Sequence, residues 1–168
     1  MRAGLDVGVD LNRDRARRLR RELKRHEAME RAARVLRSRD LSAAELDARL
    51  DRARIAPAAR AETIERLTEA GALDDKRFAQ SRARALADRG AGNLFVRHDL
   101  ETRGIAPPAV EAAIALLEPE TIRAARICAR RGAGPKTARY LARKGFSEDA
   151  IESSCSEGIA EQDTPAVR

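Results

Sequence analysis

Aromatic residues are nearly missing from this 168-residue chain: it has no Trp, one Tyr and three Phe, 2% in all. That scarcity argues against a base-stacking platform such as an RNA-recognition sheet or an oligonucleotide-binding barrel. Cysteine is equally sparse. Cys128 and Cys155 are too few and too far apart for a disulfide framework, no Cys-x-x-Cys pair occurs, and His26 and His98 stand alone, so neither a metal site nor any other cofactor is expected. No run approaches the roughly 20 apolar residues of a membrane span, and Met1-Arg2-Ala3-Gly4-Leu5-Asp6 lacks the apolar core of a signal peptide. A cytoplasmic monomer with no membrane partner is expected. Lysine is scarce too, with only Lys24, Lys76, Lys136 and Lys144 among 34 basic residues, so the positive charge is carried by guanidinium groups.

What the chain does have is charge and helical periodicity. It is 43% hydrophobic and 36% charged, with a net charge of +7 and a pI near 10.3, which points to an anionic partner such as nucleic acid or an acidic protein surface. Apolar positions recur with helical spacing, as in Met29, Ala32, Ala33, Leu36 and again in Val110, Ile114, Leu117, and no segment alternates with period two for long. The fold is expected to be all-α.

Internal repetition organises the helices. Arg89-Gly90-Ala91-Gly92 recurs as Arg131-Gly132-Ala133-Gly134, and Leu-x-x-x-Gly-(Ile/Phe) runs in step as Leu100 to Gly104-Ile105 and Leu141 to Gly145-Phe146, with a degenerate copy at Leu50 to Arg54-Ile55. A glycine at C′ with apolar residues at C3 and C″ is the spacing of a Schellman helix end. Arg54 occupies the glycine position of the first copy. New starts follow each end at Pro57, Pro107 and Ser147-Glu148-Asp149, and Ser42-Ala43-Ala44-Glu45 reads as a capping box. The pattern predicts three tandem three-helix units, 26–73, 74–117 and 118–157, forming an elongated, curved array. A separate basic helix over 12–25 is expected to precede them, within an N-terminal segment 1–25, and a disordered tail, 158–168, to follow.

No catalytic constellation is present. The chain contains no G-x-x-x-x-G-K phosphate loop, no G-x-S-x-G and no H-E-x-x-H. Asp74-Asp75 suits one N-cap and one charge facing the helix dipole better than acid/base or metal work. His98, among Phe95, Val96 and Leu100, reads as a partly buried packing residue, Cys128 as a small apolar core residue, and Tyr140 as an amphipathic packing residue.

The run Gly71-Ala72-Leu73-Asp74-Asp75-Lys76-Arg77-Phe78-Ala79, followed by Arg89-Gly90-Ala91-Gly92 and Leu100-Glu101-Thr102-Arg103-Gly104-Ile105, resembles the signature of RecX, the bacterial regulator of the RecA recombinase. Leu41-Ser42-Ala43-Ala44-Glu45-Leu46 and Tyr140-Leu141-Ala142-Arg143-Lys144-Gly145-Phe146-Ser147 resemble its first-unit and third-unit motifs, so the resemblance covers about residues 26 to 155. Arg54 departs from the family's glycine, and the motifs do not reach the N-terminal segment. The resemblance implies Leu73, Asp74, Asp75, Phe78, Gly92, Leu100, Gly104, Ile105, Leu141, Gly145 and Phe146 as motif positions. It also implies a non-enzymatic modulator that binds in the helical groove of the RecA filament on single-stranded DNA, inhibits ATP hydrolysis, strand exchange and filament extension, and binds DNA weakly by itself.

The charge is uneven along the chain: the net is +6 over residues 1–40, −3 over 41–75, +3 over 76–117, +3 over 118–155 and −2 over the remainder. Arg13, Arg17, Arg20 and Lys24 form one helical stripe, and Arg123, Arg126 and Arg130 another, with Lys136, Arg139, Arg143 and Lys144 on the next helix. These residues, with Arg77, Arg84 and Arg97 of the second unit, are the candidate contacts to filament or DNA, units two and three being the main surface. A solvated face with intrahelical pairs is the plain alternative for any single stripe. Two other functions stay open on sequence: a general architectural protein contacting duplex phosphates, and a nuclease using Asp74 and Asp75.

Overall fold

Good helix formers, proline at helix starts and left-handed residues at helix ends carry the whole of the described chain, residues 13–156, which in the computed structural model holds nine helices and no strand. The chain divides between Leu73 and Asp74 into two units. The first contains α1 (Arg13–Leu36), α2 (Ala43–Arg52) and α3 (Pro57–Glu69). The second contains α4 (Asp75–Asp88), α5 (Asn93–Thr102), α6 (Pro107–Ala115), α7 (Glu120–Arg131), α8 (Pro135–Arg143) and α9 (Glu148–Ser156). The expected N-terminal tip, residues 1–12, and the expected disordered tail lie outside the described residues.

In the first unit Ala28 and Ala32, one turn apart on α1, are fully buried, because a methyl side chain lets a helix backbone come close to its neighbours. Leu46, Leu50, Ile55, Leu67 and Leu73 fill the space around them. The start of α2 is fixed by its capping box: Glu45 N donates to Ser42 Oγ at 3.1 Å and Ser42 N donates to Glu45 Oε2 at 3.3 Å. The expectation of a separate basic helix over 12–25 is corrected here. Residues 13 to 36 form one continuous helix, since no glycine or proline interrupts them and most are strong helix formers. The basic stretch is thus the N-terminal half of α1, with Leu23 61% exposed and Arg25 Nε 2.5 Å from Glu62 of α3.

Five helices, α2, α3, α4, α5 and α8, end alike, and three of these ends carry the repeated motif: Ile55 N donates to Leu50 O (3.0 Å), Ile105 N to Leu100 O (3.1 Å) and Phe146 N to Leu141 O (3.2 Å), each with the companion bond from the residue before. The left-handed residue is Gly104 (φ 75°) in one case and Gly145 (φ 78°) in another, but Arg54 (φ 59°) in the first. A Cβ in that region costs on the order of 1 kcal/mol relative to glycine. Arg54→Gly is therefore expected to raise the melting temperature by roughly 4 °C or more, read by circular dichroism; an unchanged or lower value would contradict the strain.

The second unit has two cores. Ala79, Ala83, Leu86, Val96, Leu100, Ile105 and Val110 belong to α4–α6, and Ala124, Ile127, Leu141, Phe146 and Ala150 to α7–α9. Asp74 is the N-cap of α4, its Oδ1 accepting from Lys76 N at 2.9 Å and Arg77 N at 3.0 Å. The bond from Arg77 N is the main reason its carboxyl is held below the ordinary aspartate value. Arg82 of α4 grips Asp99 of α5 with two bonds of 2.9 and 2.8 Å, and Arg103 adds one of 2.8 Å. The Arg82 bonds, then those from Arg103, pull the Asp99 carboxyl down to about 2.

Candidate partner-binding cleft

Two glycines bring the α4–α6 and α7–α9 bundles together. Gly92 N donates to Lys144 O at 2.8 Å and Leu94 N donates to Gly145 O at 3.0 Å, so amides orphaned at the start of α5 are satisfied by carbonyls at the end of α8. There is no room for side chains: a Cβ on Gly92 would overlap the Gly145 backbone, and one on Gly145 would lie 2.5 Å from Phe95 N. Glu120 braces the same joint, Oε1 accepting from Asn93 N at 2.5 Å and Oε2 from Ser147 Oγ at 2.7 Å.

Arg123 lies at the centre of this joint, 7% exposed. Its Nε donates to Glu118 O at 3.0 Å, Nη1 to Ala91 O at 2.7 Å and Nη2 to Asn93 Oδ1, while the guanidinium carbon lies 5.7 Å from the Phe146 ring centre. Burial lowers its pKa, opposed by the charges of Glu120 and Glu118. Arg123, expected as a contact residue, is instead mostly buried, with three bonds to Glu118 O, Ala91 O and Asn93 Oδ1, and reaches the cleft beside the joint only at its lining. The stripe Arg123, Arg126, Arg130 therefore splits, with only its last two members facing out.

Beside the joint opens a cleft of about 730 Å³ between α4, α7 and the end of α6. Arg84, Arg89, Arg126, Arg130 and Arg131 line it around an apolar floor of Ala87, Leu117 and Ile127, with Leu116 at 66% exposed, and Asp88 and Glu118 supply the acidic groups. All five of these arginines are exposed. Arg126 Nη2 reaches Glu118 Oε1 at 2.7 Å, a pair open to solvent and hence weak. Tyr140 closes one side, with Arg131 stacked 4.1 Å from its ring centre and Lys144 at 5.7 Å, so the ring packs on cations.

Of the sequence candidates, the cleft thus gathers the exposed Arg84, Arg126 and Arg130 together with the buried Arg123. Lys136, Arg139 and Arg143 are exposed and Lys144 half-buried on α8 and its end, outside the cleft lining. Arg97 lies elsewhere, bound to Glu111 of α6 by two bonds of 2.8 Å, and Arg77 is 3.8 Å from Asp74. Arg13, Arg17, Arg20 and Lys24 belong to the other unit and are exposed on α1. Arg89 and Arg131 also line the cleft and were not among the sequence candidates. The signal was available, since they are the first residues of the two Arg-Gly-Ala-Gly copies. His98 is also corrected: it is exposed, because Val96 and Leu100 take the buried face of α5.

Among the described residues no helix is long and apolar enough to cross a membrane. Residues 74–114, which span α4–α6 almost to its end, match the family described as "RecX, second three-helix domain". The regulatory protein RecX of Xanthomonas axonopodis pv. citri (strain 306) is 34% identical over 144 residues, covering 80% of this chain and 89% of that protein. The regulatory protein RecX of Stenotrophomonas maltophilia (strain K279a) is 37% identical over 133 residues, covering 73% and 82%. In three dimensions a crystal structure of regulatory protein RecX aligns with a TM-score of 0.75 at 18% identity, covering 89% of this chain and 80% of that one. RecX from Lactobacillus salivarius aligns at 0.70 and 21%, covering 82% and 97%. With extended identity above 30% and the same helical architecture, this chain belongs to the RecX family of regulatory proteins.

Proposed function

We propose that the chain docks on the RecA filament assembled on single-stranded DNA and inhibits ATP hydrolysis, strand exchange and filament extension by occupying the filament's groove, with no chemistry of its own. Membership of the RecX family supports this choice of partner, and the observation that carries the reading is the arginine-lined cleft with an apolar floor. Five exposed guanidiniums around Leu116, Leu117 and Ile127 suit an acidic protein segment with apolar side chains, which would satisfy both the charge and the floor. Glu118, paired with Arg126, and Asp88 set two carboxylates against these five guanidiniums, so the lining keeps an excess of positive charge.

The test is RecA ATPase on single-stranded DNA titrated with this protein. The double variant Arg126→Ala/Arg130→Ala is expected to need about thirtyfold more protein for half-inhibition, because each of the two lost charge-assisted contacts contributes about 1 kcal/mol. Arg17→Ala/Arg20→Ala on α1 is expected to change it less; equal inhibition by wild type and the cleft double variant would overturn the cleft assignment. A second reading, direct binding to duplex phosphates, is favoured by the exposed basic half of α1, where Arg13, Arg17, Arg20 and Lys24 share a stripe. It predicts equal affinity for bare DNA and filament, falling with salt at a log–log slope of about −0.9 per phosphate contact.

A further inference from the structure

On sequence Cys128 is a small apolar core residue, and it and Cys155 are too few and too far apart for a disulfide framework. Folding brings them together: their sulfur atoms, on residues 27 positions apart, lie 3.2 Å from each other, both as free thiols. Cys128 is on the inner face of α7 and 5% exposed, whereas Cys155 is only partly covered and occupies the last turn of α9. We propose that Cys128 and Cys155 are a modification site, a dithiol that a low-molecular-weight disulfide such as oxidised glutathione converts to an intramolecular disulfide fastening α9 to α7.

The geometry supports this in three ways. The two sulfurs need to close by little more than 1 Å to reach the disulfide length of about 2.05 Å, and Cys155 stands next to Ser156 at the end of α9. Access differs between the thiols, which sets an order of events. The Cys155 thiolate attacks the glutathione disulfide, giving a Cys155–glutathione mixed disulfide and one glutathione thiolate. Cys128 then gives up its proton and its sulfur attacks that of Cys155, expelling the second glutathione. Two thiols are oxidised, one glutathione disulfide is reduced to two glutathiones, and two electrons pass. Burial, followed by the hydrogen bond with Cys155, holds the Cys128 thiol up at about 11, which suits a resolving role better than that of first nucleophile. The neighbourhood is tied down around the pair, Ser154 Oγ reaching both Ala150 O at 2.6 Å and Thr121 O at 3.2 Å, so α9 is already seated on α7 before any bridge forms.

The consequence lies in α7, the helix that carries Arg123 of the joint and Arg126 and Arg130 of the cleft. A bridge at its C-terminal half would hold α9 on it and limit opening of the α7–α9 bundle. The proposal does not depend on the RecA reading.

The experiment treats the reduced full-length protein with oxidised glutathione and follows mass, free thiols and melting. The expected result is a loss of about 2 Da, disappearance of both free thiols, a Cys128–Cys155 cross-linked peptide in non-reducing digests, and a melting temperature raised by roughly 10 °C and restored by dithiothreitol. A glutathione adduct that persists on Cys155, covalent dimers, or unreacted thiols would overturn the assignment. Cys155→Ser, a change at the partly exposed position that should leave folding intact, is expected to show no rise in melting temperature with oxidant; a rise in that variant would equally refute the bridge.

Discussion

Gly92→Ala is expected to destabilise the second unit by roughly 3 kcal/mol or more, because the added methyl group would overlap backbone atoms that have no rotamer with which to yield. Gly92 has φ −81°, a value any residue adopts, so the loss would come from contact and not from local strain. The appropriate comparison is Gly71→Ala in the other unit. There φ is +67° and nothing lies within 4 Å of the added Cβ, so the cost is that of the left-handed conformation alone, about 1 kcal/mol. Urea unfolding measures both. Gly92→Ala should also speed hydrogen exchange at the amides of residues 92 and 94, which donate to Lys144 O and Gly145 O across the joint. If Gly92→Ala is no worse than Gly71→Ala, the backbone contact between the two bundles is wrong.

Arg123→Met should be the second severe change, costing roughly 3 kcal/mol, although methionine fills much of the same volume. It would strip the partners from Ala91 O, Glu118 O and Asn93 Oδ1 in a largely buried setting. Arg123→Lys should not rescue it, since an ammonium cannot span acceptors arranged around a planar fork. Arg126→Met, three residues on, removes only a solvent-exposed pair with Glu118 and should cost about 1 kcal/mol at most. The two variants separate the residue that builds the cleft from one that lines it. Chemical denaturation reads the first and inhibition of RecA ATPase reads the second; equal losses of stability would contradict the burial of Arg123.

The cleft also explains why scarcity of aromatics is compatible with a binding role. Tyr140 is the sole tyrosine, and one side of its ring is already taken by the Arg131 guanidinium, with Lys144 nearby. On the proposed reading, recognition falls to the guanidinium groups and the aliphatic floor of the cleft. That chemistry suits a folded or helical protein segment better than splayed nucleotides.

Much of the fold was legible in the sequence because its signals act within one or two turns. Ser42 and Glu45 are three residues apart and meet in any helix that starts between them. Leu100 and Ile105, or Leu141 and Phe146, meet across any Schellman end, and Arg54 had to adopt a positive φ once it stood at the C′ position of such an end. Family membership was legible for a related reason, since short motifs tied to helix ends keep their spacing.

What only the tertiary structure decided depends on which distant segment arrives where. Arg123 and Arg126 share a helical stripe, yet the loop through Ala91 and Asn93 covers one and not the other. Identical Arg-Gly-Ala-Gly copies behave differently: Gly92 abuts Gly145, whereas Gly134, at φ 147° before Pro135, has nothing within 4 Å of its added Cβ. Cys128 and Cys155 meet because α7 and α9 pack against each other. Helical periodicity names the face on which a residue lies, but burial, pairing and access are set by contacts remote in sequence, and those exist only once the bundles have closed.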